Sequence, residues 1–225
     1  MKIDRVLLLA CDRPDYLKQS LKRVLDLGVE VVAVLDKPSD LTRIKYWKKC
    51  EEILKKSGVN FIKNKENLGC SRSMFLLLEQ RHEGINLIVE DDIVLADTFE
   101  SEIEKFQADG SFIVKLSSFY WGWLASGLAL DTFKAFREQD NSVVDKKQMD
   151  SIKWKAIEVF QKSNTFFIWD EFIDTCASFC KITMLYLPNQ TENIGVVSSR
   201  LRSKSEGTFK TALFKNGVLI ELNEI

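Results

Sequence analysis

The sequence predicts an α/β protein built on an open, mainly parallel, Rossmann-like sheet with helices on both faces. Short apolar runs recur at 3–10, 30–35, 59–64, 86–91 and 111–117, and segments of helical period lie between them. That alternation is the signature of βαβ units, whose strands share one direction. The first run, IDRVLLLA, is apolar almost throughout, as suits a strand covered on both faces. A length of 225 residues fits one such domain.

The elements follow in order. The opening MKIDRVLLLACDRP superficially resembles a signal peptide, but its apolar run is short, Asp4 flanks it and a turn signal follows, so it reads as a buried strand. Pro14 opens a helix to about residue 27, with Tyr16, Leu17, Leu21, Val24 and Leu25 on one stripe, and Gly28 ends it. EVVAVL at 30–35 is the second strand, followed by the loop Asp36-Lys37-Pro38-Ser39. An amphipathic helix over 40–57 closes at Gly58. A third strand at 59–64 leads past Gly69 to a helix over 71–82; NLIVED at 86–91 is the fourth strand. A helix over 98–108 and a strand at 111–117 complete the regular half. Beyond it, 118–128 is aromatic and Gly-rich, 137–150 is polar, 151–162 and 169–180 have helical patterns, and 182–188 reads as a strand ended by Pro188. Residues 198–210 read as a polar, basic loop.

Several functional classes recede on composition. A net charge of −1 gives no general pull toward nucleic acid or membrane. No apolar run approaches the ~18–20 residues that span a bilayer. The five cysteines, Cys11, Cys50, Cys70, Cys176 and Cys180, are odd in number and scattered, which points to a reducing cytoplasm. Cys176 and Cys180 lie one helical turn apart and could share a metal, but they read as packing residues. The single His82 cannot anchor a multi-histidine site, and no serine sits in a nucleophile elbow. Neither a dinucleotide-binding glycine fingerprint nor a P-loop is present.

In an open parallel sheet, ligands bind beyond the C-terminal strand ends near the topological switch point, which singles out the loops 11–15, 36–40 and 91–97. Glu90-Asp91-Asp92 ends the fourth strand and packs three carboxylates into one turn. Clustered anions repel, more so when buried, and a cation relieves them. Hard oxygen ligands suit Mg²⁺ or Mn²⁺ shared with substrate phosphates. The alternative is a solvated acidic turn capping the next helix. Gly69 followed by Ser71 resembles a tight turn into a helix N-terminus, which would offer N–H groups to an anion or simply be capped, with Arg72 in reach of a phosphate.

Taken in order, several motifs resemble the GT-A-fold glycosyltransferases. The closer likeness is to the bacterial hemolysin-like or sugar-nucleotide transferase family, the more distant one to animal N-acetylglucosaminyltransferase I. The pieces are Cys11-Asp12-Arg13-Pro14, Asp36-Lys37-Pro38, Glu66-Asn67-Leu68-Gly69-Cys70, Glu90-Asp91-Asp92, Trp121-Gly122-Trp123, Trp169-Asp170, and Pro188 with Asn193-Ile194-Gly195, spread over residues 5–208. The resemblance implies a single domain over 1–225, with a nucleotide-binding half at 1–117 and an acceptor-binding half at 118–225. It implies that Cys11, Arg13, Asp36, Asn67 and Gly69 line the nucleoside pocket, with Arg72 nearby. Glu90 would belong to the metal motif, Asp92 would bind Mn²⁺ or Mg²⁺, and Asp91 would hold the ribose or a metal-bound water. Trp121 and Trp123 would floor the sugar or acceptor site. Asp170 would be the general base, with Glu171 the nearest substitute. Arg200 and Arg202, with Lys204, would neutralise the diphosphate or else belong to a solvated loop.

Two departures stand out. Leu124-Ala125-Ser126-Gly127 follows Trp123 where the family carries an aromatic and basic residues, and Glu206-Gly207-Thr208-Phe209 lacks the family's histidine. The expected function is transfer of a sugar from a nucleotide-diphospho-sugar, UDP-linked, to a hydroxyl of a glycan or lipid-linked glycan acceptor, with inversion and metal dependence. Such an enzyme would serve bacterial capsule, lipopolysaccharide or protein-glycan assembly, without nucleic acid. It would work in the cytoplasm or at the inner face of the membrane, held there by partners. The alternatives are a sugar-1-phosphate nucleotidyltransferase and a non-catalytic nucleotide-sugar-binding module. The first normally has a glycine-rich loop after strand one, and Cys11-Asp12-Arg13-Pro14-Asp15 has no glycine.

Overall fold

The computed structural model describes residues 1–117, 122–137, 173, 174, 176, 177, 180 and 182–194, together with the strands at 212–215 and 218–221. A seven-stranded sheet organises the chain: β1 (Arg5–Ala10), β2 (Glu30–Leu35), β3 (Asn60–Lys63), β4 (Ile85–Glu90), β6 (Phe112–Lys115), β7 (Trp123–Ser126) and β8 (Thr183–Tyr186). Their spatial order is β3-β2-β1-β4-β7-β6-β8. β1 pairs in parallel with both β2 and β4, β2 with β3, and β6 with β8; β7 alone runs antiparallel, between β4 and β6. Outside this sheet, β5 (Ile93–Leu95) pairs antiparallel with β9 (Thr191–Asn193), and β10 (Ala212–Lys215) with β11 (Val218–Glu221). The predicted α/β class with a mainly parallel sheet is therefore found.

Alternation of side chains along each strand builds two cores. Val6, Leu8 and Ala10 of β1 and Val31, Ala33 and Leu35 of β2 face α1 (Pro14–Leu25), α2 (Ile44–Ser57) and α4 (Phe99–Lys105). Leu7, Leu9, Val32, Val34 and Ile88 face α3 (Gly69–Leu78) and α5 (Gly127–Arg137). Both faces are dry, which is why these strands read as unbroken apolar runs. Leu17, Leu21 and Val24 are the buried stripe of α1, whereas Leu25 is 38% exposed. No helix among the described residues is long and apolar enough to cross a membrane.

Beyond helix ends that fall a few residues short, at Leu78 and Lys105, the structure departs from the sequence reading in three places. The helix predicted from residue 40 begins at Ile44, because Asp40 caps a 3-10 turn at Leu41–Arg43 by accepting from the Thr42 N–H at 2.9 Å. The segment read as irregular at 118–128 contains β7, which enters α5 directly at Gly127 with no intervening turn. β5 and β9, three residues each, carry too short a pattern to be read and were not expected.

Candidate functional site

The C-terminal ends of β1, β2 and β4 open onto one cleft of about 740 Å³, solvent at its mouth included. From β1 the chain crosses to β2 on one side, and β4 lies on the other, so the cleft sits at the switch point of the sheet.

On the β4 side, Glu90-Asp91-Asp92 faces Arg13. Pro14 holds the preceding Arg13 out of the helical conformation, at φ −118° and ψ 70°, at the entrance to α1. The Arg13 guanidinium donates to Asp91 Oδ1 and to Asp92 Oδ2, and lies 3.9 Å from Glu90 Oε2. The Cys11 N–H donates to Asp91 Oδ2 at 3.0 Å, so both oxygens of this fully buried carboxylate are engaged. Burial pushes the Asp91 carboxyl up to about 6, against the pull of Arg13. Burial also works against the Arg13 charge, but the surrounding Asp91, Asp92 and Glu90 carboxylates outweigh it and raise its pKa. The Cys11 thiol is raised by burial and by Asp12, Asp91 and Asp36, so it stays protonated and is no nucleophile. Asp92 keeps one buried oxygen, Oδ1, with no hydrogen-bond partner among the described residues. Its carbonyl accepts from the Ile194 N–H at 2.8 Å, which ties the turn to the end of β9.

On the β2 side, Asp36 is buried and builds the wall. Its Oδ1 accepts from Asn64 Nδ2 at 2.9 Å and from the Leu68 N–H at 3.1 Å; its Oδ2 accepts from the Gly69 N–H at 3.0 Å. A carboxylate from another strand thus caps the start of α3, where Gly69 takes φ 77° to enter the helix. Between the two carboxylate sites, Arg43 Nε donates to Asp12 Oδ2 and Arg43 Nη2 to the Asp12 carbonyl at 3.1 Å. Asp12 is 1% exposed, and its Oδ1 has no hydrogen-bond partner among the described residues.

Of the residues singled out from sequence, Cys11, Arg13, Asp36, Asn67, Glu90 and Asp91 line the cleft, and Asp92 adjoins it. Gly69 and Arg72 do not; the Gly69 N–H is taken by Asp36, and Arg72 is exposed on α3. The N–H groups expected to be open at this helix start are therefore already capped at Leu68 and Gly69. Trp123 is a correction: it is 1% exposed and packs edge-on to Phe133 at 6.4 Å in the core below α5, not beside a sugar. The intervening Gly122 is a backbone requirement, with φ 150° and a built Cβ only 2.7 Å from Thr191 Cγ2. Trp121, Asp170, Glu171, Arg200 and Arg202 lie outside the described residues. Arg43 lines the cleft and was not foreseen; an arginine just past the loop 36–40 was the available signal.

Among the described residues no three His, Cys, Asp or Glu side chains converge to hold a metal by themselves. The buried Asp92 Oδ1, unpartnered among the described residues, nevertheless has the chemistry of a single hard ligand for a divalent cation, with the remaining positions left to phosphates and water.

No family model matches the chain, and no curated protein matches it in sequence. Solved structures do match. A mannosyltransferase of Pyrobaculum calidifontis, solved with GDP-Man and Mn²⁺, superposes with a TM-score of 0.51 at 11% identity, over 84% of this chain and 55% of that one. TarS of S. aureus, residues 1–349, gives 0.50 at 12%, over 84% of this chain and 59% of that one. The fold is GT-A. This chain spans little more than half the length of these two structures. An inositol-1-phosphate CTP transferase of T. maritima, at 13% identity and covering 90% of this chain and 95% of that one, reaches a TM-score of 0.49, too low to carry weight.

Proposed function

We propose that this chain is a glycosyltransferase moving a sugar from a nucleotide-diphospho-sugar, UDP-linked, to a hydroxyl of a glycan acceptor, with inversion at the sugar carbon and with help from Mn²⁺ or Mg²⁺. The observation that carries the reading is the acidic turn at the switch-point cleft, incompletely neutralised and with a buried oxygen on Asp92 that has no hydrogen-bond partner among the described residues. The residues lining the cleft include Asp12, Asp36, Asp40, Glu90 and Asp91 against Arg13 and Arg43, a formal charge of −3. A diphosphate entering such a cleft alone would be repelled, by about 4 kcal/mol for each close like-charged pair at an effective dielectric of 20. A cation arriving with it reverses the sign.

In this reading the loop 11–13, Asp36 and Asn67 enclose the nucleoside, with Asp36 acting through the wall it builds. Asp92 would hold the ion, which supplies stabilisation of the charge developing on the leaving phosphate. Trp121 would lie against the sugar, and Arg200 and Arg202 would add positive charge to the diphosphate. Asp170 would accept the proton of the attacking hydroxyl, with Glu171 as its substitute. The motif resemblance and the GT-A fold support these roles.

The test is a thermal-shift screen of nucleotide sugars with MnCl₂ or EDTA, followed by transfer assays on glycan acceptors. UDP-sugars are expected to raise the melting temperature only with Mn²⁺. Formation of a nucleotide-sugar from a nucleoside triphosphate and a sugar-1-phosphate would replace this reading with nucleotidyl transfer. Asp170→Asn is expected to leave donor binding intact and lower turnover by about 10²–10⁴-fold; unchanged turnover moves the base to another residue.

A further inference from the structure

Arg13 does more than line the cleft. One guanidinium serves three carboxylates: it donates to Asp91 and Asp92 and lies 3.9 Å from Glu90. The two aspartates depend on it unequally. Asp91 is held independently by the Cys11 N–H. Among the described residues, Asp92 receives its only side-chain hydrogen bond from Arg13, while its Oδ1 stays bare. The side chain of Arg13 is 16% exposed and its backbone is set before Pro14, so a positive charge stands beside the turn in the unliganded protein. It neutralises one of the three negative charges and occupies one oxygen of the carboxylate best suited to an ion. A guanidinium is also a strong bidentate partner for phosphate, so an arriving diphosphate offers it another anion.

We propose that Arg13 is the resident counter-ion of the acidic turn and competes with a divalent ion for Asp92, so that free ion binds poorly and ion and donor diphosphate load together. This rests on the metal-assisted reading above. The competition makes the nucleotide the key: by drawing the guanidinium toward its phosphates, it frees Asp92 for the ion and supplies the ion's other oxygens.

The experiment titrates MnCl₂ into the full chain and reads free Mn²⁺ by electron paramagnetic resonance, with no nucleotide and with UDP, GDP, CDP or dTDP. Wild type is expected to bind Mn²⁺ weakly alone and more tightly with a nucleotide. Arg13→Gln is expected to bind Mn²⁺ alone on the order of tenfold more tightly, the low end for one charge-assisted hydrogen bond removed from competition. Adding Asp92→Asn to that variant should abolish the gain. Arg13→Lys keeps the charge that supports the fold but lacks the fork, and should gain about threefold. If Arg13→Gln and Arg13→Lys bind Mn²⁺ alone no better than wild type while a nucleotide still tightens the ion on wild type, this proposal falls and the metal-assisted function stands. If no nucleotide tightens Mn²⁺ on any of these proteins, the metal-assisted reading falls, and the role of Arg13 with it.

Discussion

Two carboxylate sites flank β1, one at the end of β2 and one at the end of β4, and they are finished to different degrees. Asp36 accepts three hydrogen bonds from protein N–H groups, spread over both oxygens. Among the described residues, Asp92 has one guanidinium on one oxygen and no hydrogen-bond partner on the other. Both are nearly buried, so solvent does not make up the difference. A carboxylate satisfied from within is part of the construction; one left half satisfied is shaped for something that arrives. The comparison assigns Asp36 to holding the cleft wall and Asp92 to its contents.

Mutation can break this distinction. The largest effect is expected from Asp36→Ala, which strands the Asn64, Leu68 and Gly69 donors; at about 1–3 kcal/mol per buried donor, partly relieved by water, the loss is about 3 kcal/mol in a urea melt. A loss below about 1 kcal/mol would remove Asp36 from the construction. Asp92→Asn should change the unliganded protein by less than ~1 kcal/mol, yet erase stabilisation by nucleotide with Mn²⁺, which in wild type amounts to about 2.7 kcal/mol at a hundredfold excess over Kd. Retention of that stabilisation would sink the assignment of Asp92. Asn64→Ala removes one donor to Asp36 and the bond to Ser73 Oγ, and should destabilise by about 1–2 kcal/mol without moving nucleotide affinity. Glu90→Gln is the smallest: its side chain is 29% exposed and 3.9 Å from Arg13, so stability should shift by no more than about 0.5 kcal/mol.

The sequence made some of this legible and hid the rest for physical reasons. β1, β2 and β4 were readable because both faces of each strand are covered, leaving long apolar runs. Glu90-Asp91-Asp92 was readable because three carboxylates ending such a run demand a counter-charge. What supplies that charge within the protein was not: Arg13 reaches Asp91 and Asp92 across 78 and 79 positions. The same holds for Asp36, whose cap on α3 joins residues 32 and 33 apart. Pairings at that distance leave no periodic trace. β7 escaped because Trp123–Ser126 is short and runs without a turn into a helix, so strand and helix signals overlap. Trp123 was misplaced because an aromatic in a Trp-Gly-Trp motif looks the same whether it faces a sugar or a core.

The small β5–β9 ladder has a consequence for how the protein comes into being. It joins Ile93 to Asn193, positions about a hundred residues apart, and lies immediately after the acidic turn. Closing a loop of that length opposes folding by about 2 kcal/mol more than closing one of ten residues. β1, β2 and β4 belong to the first ninety residues, whereas β9 leaves the ribosome about 5–20 s after β5 at ordinary rates of synthesis. The cleft floor is therefore expected to be assembled on the nascent chain before the strand that fastens its acidic rim, and the carboxylates reach their working positions only once β9 has been made.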